Sequence, residues 1–381
     1  MAGAEALRGP ALDRRLFLGL AGASALVRPA AAAPRKNRLI VNALGGLSNP
    51  NDTEEGEQGE GRAIEKRVID DIRASGCDAI NITLGYVAGP DEPFEATVAD
   101  IGKWDARIRN HPRDLIKVLG AADILRARDE DRIGLIYGFQ NAAMLGDKLE
   151  RVDIFHDLGV RIVQLTYNPA NALGDGSMAP QNRGLTQFGR KAIERLNAKR
   201  MMVDLSHSGE KTCLDAAQAS KQPISINHTG CRALTDLPRN KSDEELRLVA
   251  SRGGFVGIYF MPFLSSASNA SAGDVVAHID HAVNVCGEDH VGIGTDGPIT
   301  GVDDMSAYRT RAAKEVARRK AAGIGATGEN PDTIPMVADL QGPGQFEKLA
   351  GFLKARGYRE ARIDKILGLN FLGFARRVWG A

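Results

Sequence analysis

The stretch "LTQFGRKAIERLNAKRMMVDLSH", residues 185–207, pairs two patterns that together decide the fold. Its first part is polar-rich with apolar residues at helical spacing. Its second part, "RMMVDLSH", is a short and nearly continuous apolar run, as expected of a parallel strand buried on both faces. Seven further runs have the same character: "LIVNAL", "CDAINITLG", "RIGLIYGFQN", "VRIVQLTYN", "PISINH", "GFVGIYFM" and "VGIGTD". Between them lie amphipathic segments such as "GRAIEKRVIDDIRASG", "SDEELRLVASRGG" and "DVVAHIDHAVNVCGEDH", several with Ser, Thr or Asp at the start or Gly at the end. Eight strand–helix units predict a single TIM (β/α)8 barrel, α/β in class, rather than an open doubly wound sheet. No GxGxxG follows the first strand, which argues against dinucleotide binding.

A chain of 381 residues accommodates such a barrel with extensions. Its formal net charge is +1, with no clustered positive charge of the kind that nucleic acid or an anionic membrane requires. After the last strand, residues 297–344 read as an irregular excursion containing a basic helix, "AAKEVARRKAAG", whose charges suit a solvated face. Four widely spaced cysteines, Cys77, Cys213, Cys231 and Cys286, show no metal or disulfide framework and read as free buried thiols. At the N-terminus Arg14-Arg15 precedes an apolar run, Leu16 to Val27, and an Ala-rich segment ending near Pro34. The run is too short to span a bilayer. It fits an exported protein with a twin-arginine-like signal over residues 1–33, a barrel over 34–381 and a periplasmic destination.

In a TIM barrel the chemistry sits at the C-terminal strand ends. Taken in order these ends carry Leu44-Gly45-Gly46, Gly85, Gln140-Asn141, Tyr167-Asn168, His207, His228, Tyr259 and Asp296. Two histidines on neighbouring strands followed by an aspartate two strands on point to a metal or acid–base site. A second His pair, His278 and His281 in "AHIDHA", shares a helix face, but that helix belongs on the outside of the barrel. His111, His156 and His290 have no partners nearby in sequence and suit surface or capping roles. Asp204, within "VDLSH", suits hydrogen bonding to backbone.

The blocks "MMVDLSHSGEKT", "PISINHTGCRALTDLPRNKSDEEL", "GGFVGIYF" and "GEDHVGIGTD", with "LGVRIVQLTYNPAN" and the closing "KILGLNFLGFAR", resemble the renal (membrane) dipeptidases, peptidase family M19. The resemblance covers most of the mature chain. It implies a barrel of the amidohydrolase-like, metallo-dependent hydrolase type, hydrolysis of dipeptides at two zinc ions, a small dipeptide-like substrate and a homodimer. His207 and His228 match the histidines of the second zinc. Arg239 matches an arginine that meets the substrate carboxylate, and Asp296 the acid that handles the proton. Other positions depart. Where the family's first strand ends in His-x-Asp, this chain has Leu44 and Gly46. The bridging Glu falls at Gln140, and a substrate-site His at Tyr167.

Leu and Gly cannot coordinate zinc, and Gln140 cannot neutralise two nearby cations. The expectation is therefore one zinc ion rather than two, on His207 and His228, with Asp296 catalytic and Arg239, Tyr167 and Gln140 binding substrate. An acid from the 52–60 loop, Asp52, Glu54 or Glu55, could restore a pair. Two alternatives stay open: a metal-free epimerase or lyase using Asp296 with a histidine, and a non-catalytic periplasmic binding protein.

Overall fold

The computed structural model describes residues 38–52 and 64–380. The expected signal, Glu54 and Glu55 lie outside the described residues. The eight expected strands all form: β1 Val41–Gly45, β2 Ala79–Thr83, β4 Ile133–Phe139, β5 Val160–Gln164, β6 Met202–Asp204, β7 Ser225–Thr229, β8 Phe255–Ile258 and β9 Val291–Ile293. A ninth, β3 (Leu115–Lys117), lies off the ring and pairs in parallel with Ile133–Leu135 of β4. Three residues from "DLIKVL" are too few to stand out as a strand from the sequence. Every pairing along the ring is parallel and follows chain order.

The last strand returns to the first. The Asp296 N–H donates to Leu44 O at 2.9 Å, and the Gly46 N–H to Gly297 O at 3.0 Å. Buried Asn42 reinforces this seam: Oδ1 accepts from the Thr295 N–H at 2.9 Å and Nδ2 donates to Thr295 Oγ1 at 2.8 Å. Gly45 is required here, because a Cβ would lie 2.3 Å from Asn42 Nδ2. Met202, Ile162 and Phe255 share a core cluster with Phe371, Phe374 and Val378 of the C-terminal helix Asn370–Trp379. Phe255 meets Phe371 edge-on with centroids 5.3 Å apart.

The opening stretch shows why the local pattern works. Thr186 caps the helix Gln187–Ala198 by accepting from the Gly189 N–H at 2.9 Å. That helix buries Ala192, Ile193 and Leu196, and β6 follows at Met202. All four cysteines are buried thiols outside any disulfide. His278 and His281 do not form a ligand pair. His278 is buried, accepting from the Cys231 N–H at 2.9 Å, with Nε2 at 3.0 Å from Leu264 O. His281 pairs with Asp243 at 2.7 Å. Among the described residues no helix is long and apolar enough to cross a membrane.

Candidate active site

His207 and His228 are aligned by one carboxylate. Asp204 ends β6 fully buried, and its Oδ1 accepts from the Ser206 N–H (3.0 Å), the Ser206 hydroxyl (2.5 Å) and the Asn227 N–H (3.0 Å). Ser206 Oγ in turn accepts from the His228 N–H at 3.1 Å. The residues preceding both histidines are thus clamped together, as the backbone role expected of Asp204 requires. The imidazole centroids lie 5.0 Å apart.

Asn168 sets the tautomer of His207. Its Nδ2 donates to Ile324 O at 2.9 Å, so its Oδ1 faces His207 Nδ1 at 2.7 Å. An amide oxygen accepts only, so the proton sits on His207 Nδ1 and a lone pair remains on Nε2. Tyr167 stacks on the same ring at 4.3 Å and 26°. Burial, with the Arg239 guanidinium adding to it, pushes both histidines well below their ordinary range and keeps them neutral. His207 Nε2 and both ring nitrogens of His228 are buried without a hydrogen-bond partner. Buried polar atoms are rarely left so, and such atoms mark a place where something binds.

Asp296 adopts a left-handed backbone conformation, φ 59°, which Asp tolerates better than most residues. Its Oδ2 lies 3.9 Å from His228 Nε2. Burial raises its carboxyl to about 6, opposed by the Arg239 and Arg319 guanidiniums and by a hydrogen bond from Gln140. The Gln140 Nε2 also donates to Thr83 Oγ1 at 2.7 Å.

Arg239 is held by the block "RNKSDEEL". Ser242 and Glu245 form a reciprocal capping box on the helix Asp243–Ser251, and Lys241 pairs with buried Glu245 at 3.0 Å. Asn240 fixes the same loop by accepting from the Tyr259 hydroxyl at 2.6 Å. Arg239 itself donates through Nη1 to Ser206 O at 2.6 Å, while Nη2 is buried and unpartnered.

One further cation enters the site, and it corrects the reading of the excursion. Arg318 pairs on the surface with Glu315, as a solvated face would. The adjacent Arg319, on the helix Met305–Ala321, instead turns inward. Its Nη1 donates to the Tyr167 hydroxyl at 3.1 Å and its Nε to Glu329 Oε1 at 3.1 Å. Gln140, Tyr167, His207, Arg239, Asp296 and Arg319 line one cavity of about 240 Å³. All the residues expected of the site except the fully buried His228 therefore face one space, and His228 adjoins it through His207 and Asp296. Sequence reading missed Asn168 as the partner of His207 and missed Arg319 altogether.

Among the described residues the side chains do not supply the ligands of two metal ions. Leu44 and Gly46 offer no ligand atom, and the neutral Gln140 amide is engaged with Thr83 and Asp296. Asp52 accepts from Asn49 Nδ2 at 2.9 Å. Among the described residues no group of three or more His, Cys, Asp or Glu side chains is gathered closely enough to hold an ion. The unpartnered imidazole nitrogens of His207 and His228 are lone-pair donors of the kind that ligate zinc.

The model of the membrane dipeptidases, peptidase family M19, matches residues 74–324. An uncharacterised protein encoded in the pqqA 5' region of Klebsiella pneumoniae is 29% identical over 301 residues, 76% of this chain and 98% of that protein. Dipeptidase tcpJ of Claviceps purpurea is 32% identical over 262 residues, 68% of this chain but only 54% of that enzyme. Among solved structures, an amidohydrolase from Pseudomonas aeruginosa superposes with a TM-score of 0.74 at 31% identity, covering 90% of this chain and 97% of that one. A metallo peptidase from Rhodobacter sphaeroides, solved with a phosphinate mimic of the dipeptide L-Ala-D-Ala, shares the fold with a TM-score of 0.69 at 20% identity, covering 90% and 99%. With the family's pattern matched over most of the barrel, this chain belongs to the membrane dipeptidase family, M19, as a dipeptidase-like hydrolase.

Proposed function

We propose that the protein hydrolyses dipeptides or related small amides bearing a free carboxylate, with one zinc ion on His207 and His228 in place of a pair. The observation that carries this reading is the tautomer of His207. Its Nδ1–H is committed to Asn168, and its Nε2 lone pair is buried and unanswered beside an equally unanswered His228. A histidine that donates its other N–H to an oriented acceptor is the usual arrangement of a metal ligand. An ion there would supply Lewis acidity toward a carbonyl oxygen and toward water. The chain's own residues do the rest. Arg239 Nη2 receives the substrate carboxylate, a task suited to a planar guanidinium. Asp296, whose carboxylate lies 3.9 Å from His228, is placed to exchange a proton at the site. Tyr167 and Gln140 line the cavity and offer hydrogen-bonding groups to the substrate.

Elemental analysis of the purified mature protein tests this together with L-Ala-D-Ala hydrolysis. The expected result is about one zinc per chain and hydrolysis that chelator abolishes, with metal lost in His207→Ala and His228→Ala. Two ions per chain, or metal content unchanged in those variants, would reject the single-ion site. The 3.9 Å approach of Asp296 to His228 also supports a second reading, a metal-free acid–base enzyme such as an epimerase or lyase. Turnover that survives chelation would select it. Export by the twin-arginine route, proposed from Arg14 and Arg15, predicts that changing both to Lys leaves the protein in the cytoplasm.

A further inference from the structure

The excursion after β9 contributes three charged residues, Glu315, Arg319 and Glu329, to the lining of the cavity that holds Arg239 and His207. Their partners differ. Glu315 has both carboxylate oxygens taken by Arg318, each at 2.7 Å. Arg319 has all three guanidinium nitrogens engaged, Nη1 with the Tyr167 hydroxyl, Nε with Glu329 Oε1 and Nη2 with Ile324 O at 3.3 Å. Nη2 also lies 3.1 Å from the same Glu329 Oε1. An arginine facing a carboxylate commonly takes both oxygens, one per nitrogen. Here both nitrogens face Oε1, and Glu329 Oε2 is left buried without a hydrogen-bond partner, on a side chain only 10% exposed. The backbone fixes this carboxylate in place: the Glu329 N–H donates to Ala326 O at 3.1 Å, and a Cβ on Gly325 would already lie 3.1 Å from Oε2.

The same cavity contains Arg239, whose Nη2 is likewise buried and unpartnered. A cationic donor and an anionic acceptor, both unanswered, thus line one space of about 240 Å³. A charged group buried short of a partner costs more than a neutral one, and a ligand that supplies the partner recovers that cost. We infer that Glu329 Oε2 receives the ammonium group of the substrate, so that the substrate is a dipeptide with a free amine and the excursion, rather than a strand end, selects for it. This rests on the hydrolase reading above. Tyr167 connects the two ends of the site, since its ring stacks on His207 and its hydroxyl is bonded by the arginine that holds Glu329. A substrate amide at His207 with its carboxylate on Arg239 has its amino end left for Glu329. An N-acylated amino acid answers Arg239 alone and leaves Oε2 without a partner.

The test compares L-Ala-D-Ala with N-propionyl-D-alanine, which differs from it only by lacking the amine, in kcat/KM and in calorimetric binding to the mature protein. The dipeptide is expected to be favoured by at least about tenfold, the scale of one hydrogen bond between charged groups. Glu329→Gln, which keeps the shape and removes the charge, should bring that ratio close to one. Glu329→Met, of similar length and with no N–H to oppose Arg319, reports the same ratio should the glutamine variant fail to fold. A wild-type ratio near one overturns the subsite, even where both compounds are hydrolysed. So does a ratio that survives both substitutions at 329 but falls in Asp296→Asn, which would move the ammonium to Asp296. A binding preference for the dipeptide that Glu329→Gln abolishes, with neither compound hydrolysed, upholds the subsite and overturns the hydrolase reading alone.

Discussion

Asn168 illustrates how one side chain decides what a histidine can do. It sits between Ile324 O and His207 Nδ1, donating to one at 2.9 Å and accepting from the other at 2.7 Å. Replacing it with Ala removes the acceptor, and His207 can then carry its proton on either nitrogen. Loss of such a partner typically costs about 10–100-fold in metal affinity or activity. Asn168→Ala is therefore expected to bind zinc that much more weakly in a chelator competition, with the fold intact by circular dichroism. Unchanged zinc affinity would show that Asn168 does not orient a ligand. The histidine itself was evident in "VDLSH", because a polar residue after an apolar run at a strand end is conspicuous. Its partner was not, since an Asn in the turn-rich stretch "TYNPANALGDGS" looks like any loop Asn.

At the scale of elements, the excursion helix Met305–Ala321 is tied to the site through Arg319. That guanidinium bonds the Tyr167 hydroxyl and Glu329, and the turn after the helix offers Ile324 O to Asn168. Arg319→Met keeps the aliphatic stem but frees Tyr167 and leaves Glu329 unpaired. The expected outcome is a fall in kcat/KM of about tenfold or more, the scale of a lost charge-assisted contact. A kinetic profile indistinguishable from wild type would reduce the helix to a surface feature. Arg319 was hidden in the sequence because "ARRK" has no periodicity that singles out one arginine, and its phenolic partner lies 152 residues away. The helix Ala272–Cys286 carries a different prediction. Burial lowers His278 to about 4, and its Nδ1 accepts from Cys231 N–H, so a second proton has no favourable place. The unfolded chain takes up that proton near the ordinary value of 6.5, and the folded chain does not. His278 should therefore contribute a fall in stability as pH drops from about 6.5 to 4, of on the order of 3 kcal/mol, on top of the falls that the equally buried His207 and His228 contribute below 6.5. Urea titrations across that range check it, with His278→Gln expected to make the slope shallower than in the wild type and an unchanged slope counting against the assignment.

For the whole molecule the governing requirement is that the first strand meet the last. The barrel was legible because its strands are buried on both faces and so appear as apolar runs separated by amphipathic helices. β3 escaped because it is short and lies off the ring. What the pattern does not reveal is the seam, where Asn42 reaches Thr295 across 253 positions of sequence. Asn42 reads from sequence as one polar residue inside an apolar strand. In the fold it satisfies both the Thr295 N–H and hydroxyl while being fully buried, and it fills the space beside Gly45. Asn42→Ala leaves the Thr295 N–H buried without an acceptor and opens a gap beside a glycine. A buried donor left unsatisfied costs about 1–3 kcal/mol, and the lost packing adds to it. Denaturant unfolding should thus show a midpoint shifted down by about 2–4 kcal/mol of stability. Asp296 follows Thr295 directly and donates its own N–H to Leu44 O. The variant should therefore lose activity at temperatures where the barrel remains folded, because the seam also places the Asp296 carboxylate. If Asn42→Ala instead loses stability and activity over the same temperature range, the seam serves closure alone and Asp296 is positioned by the rest of the barrel.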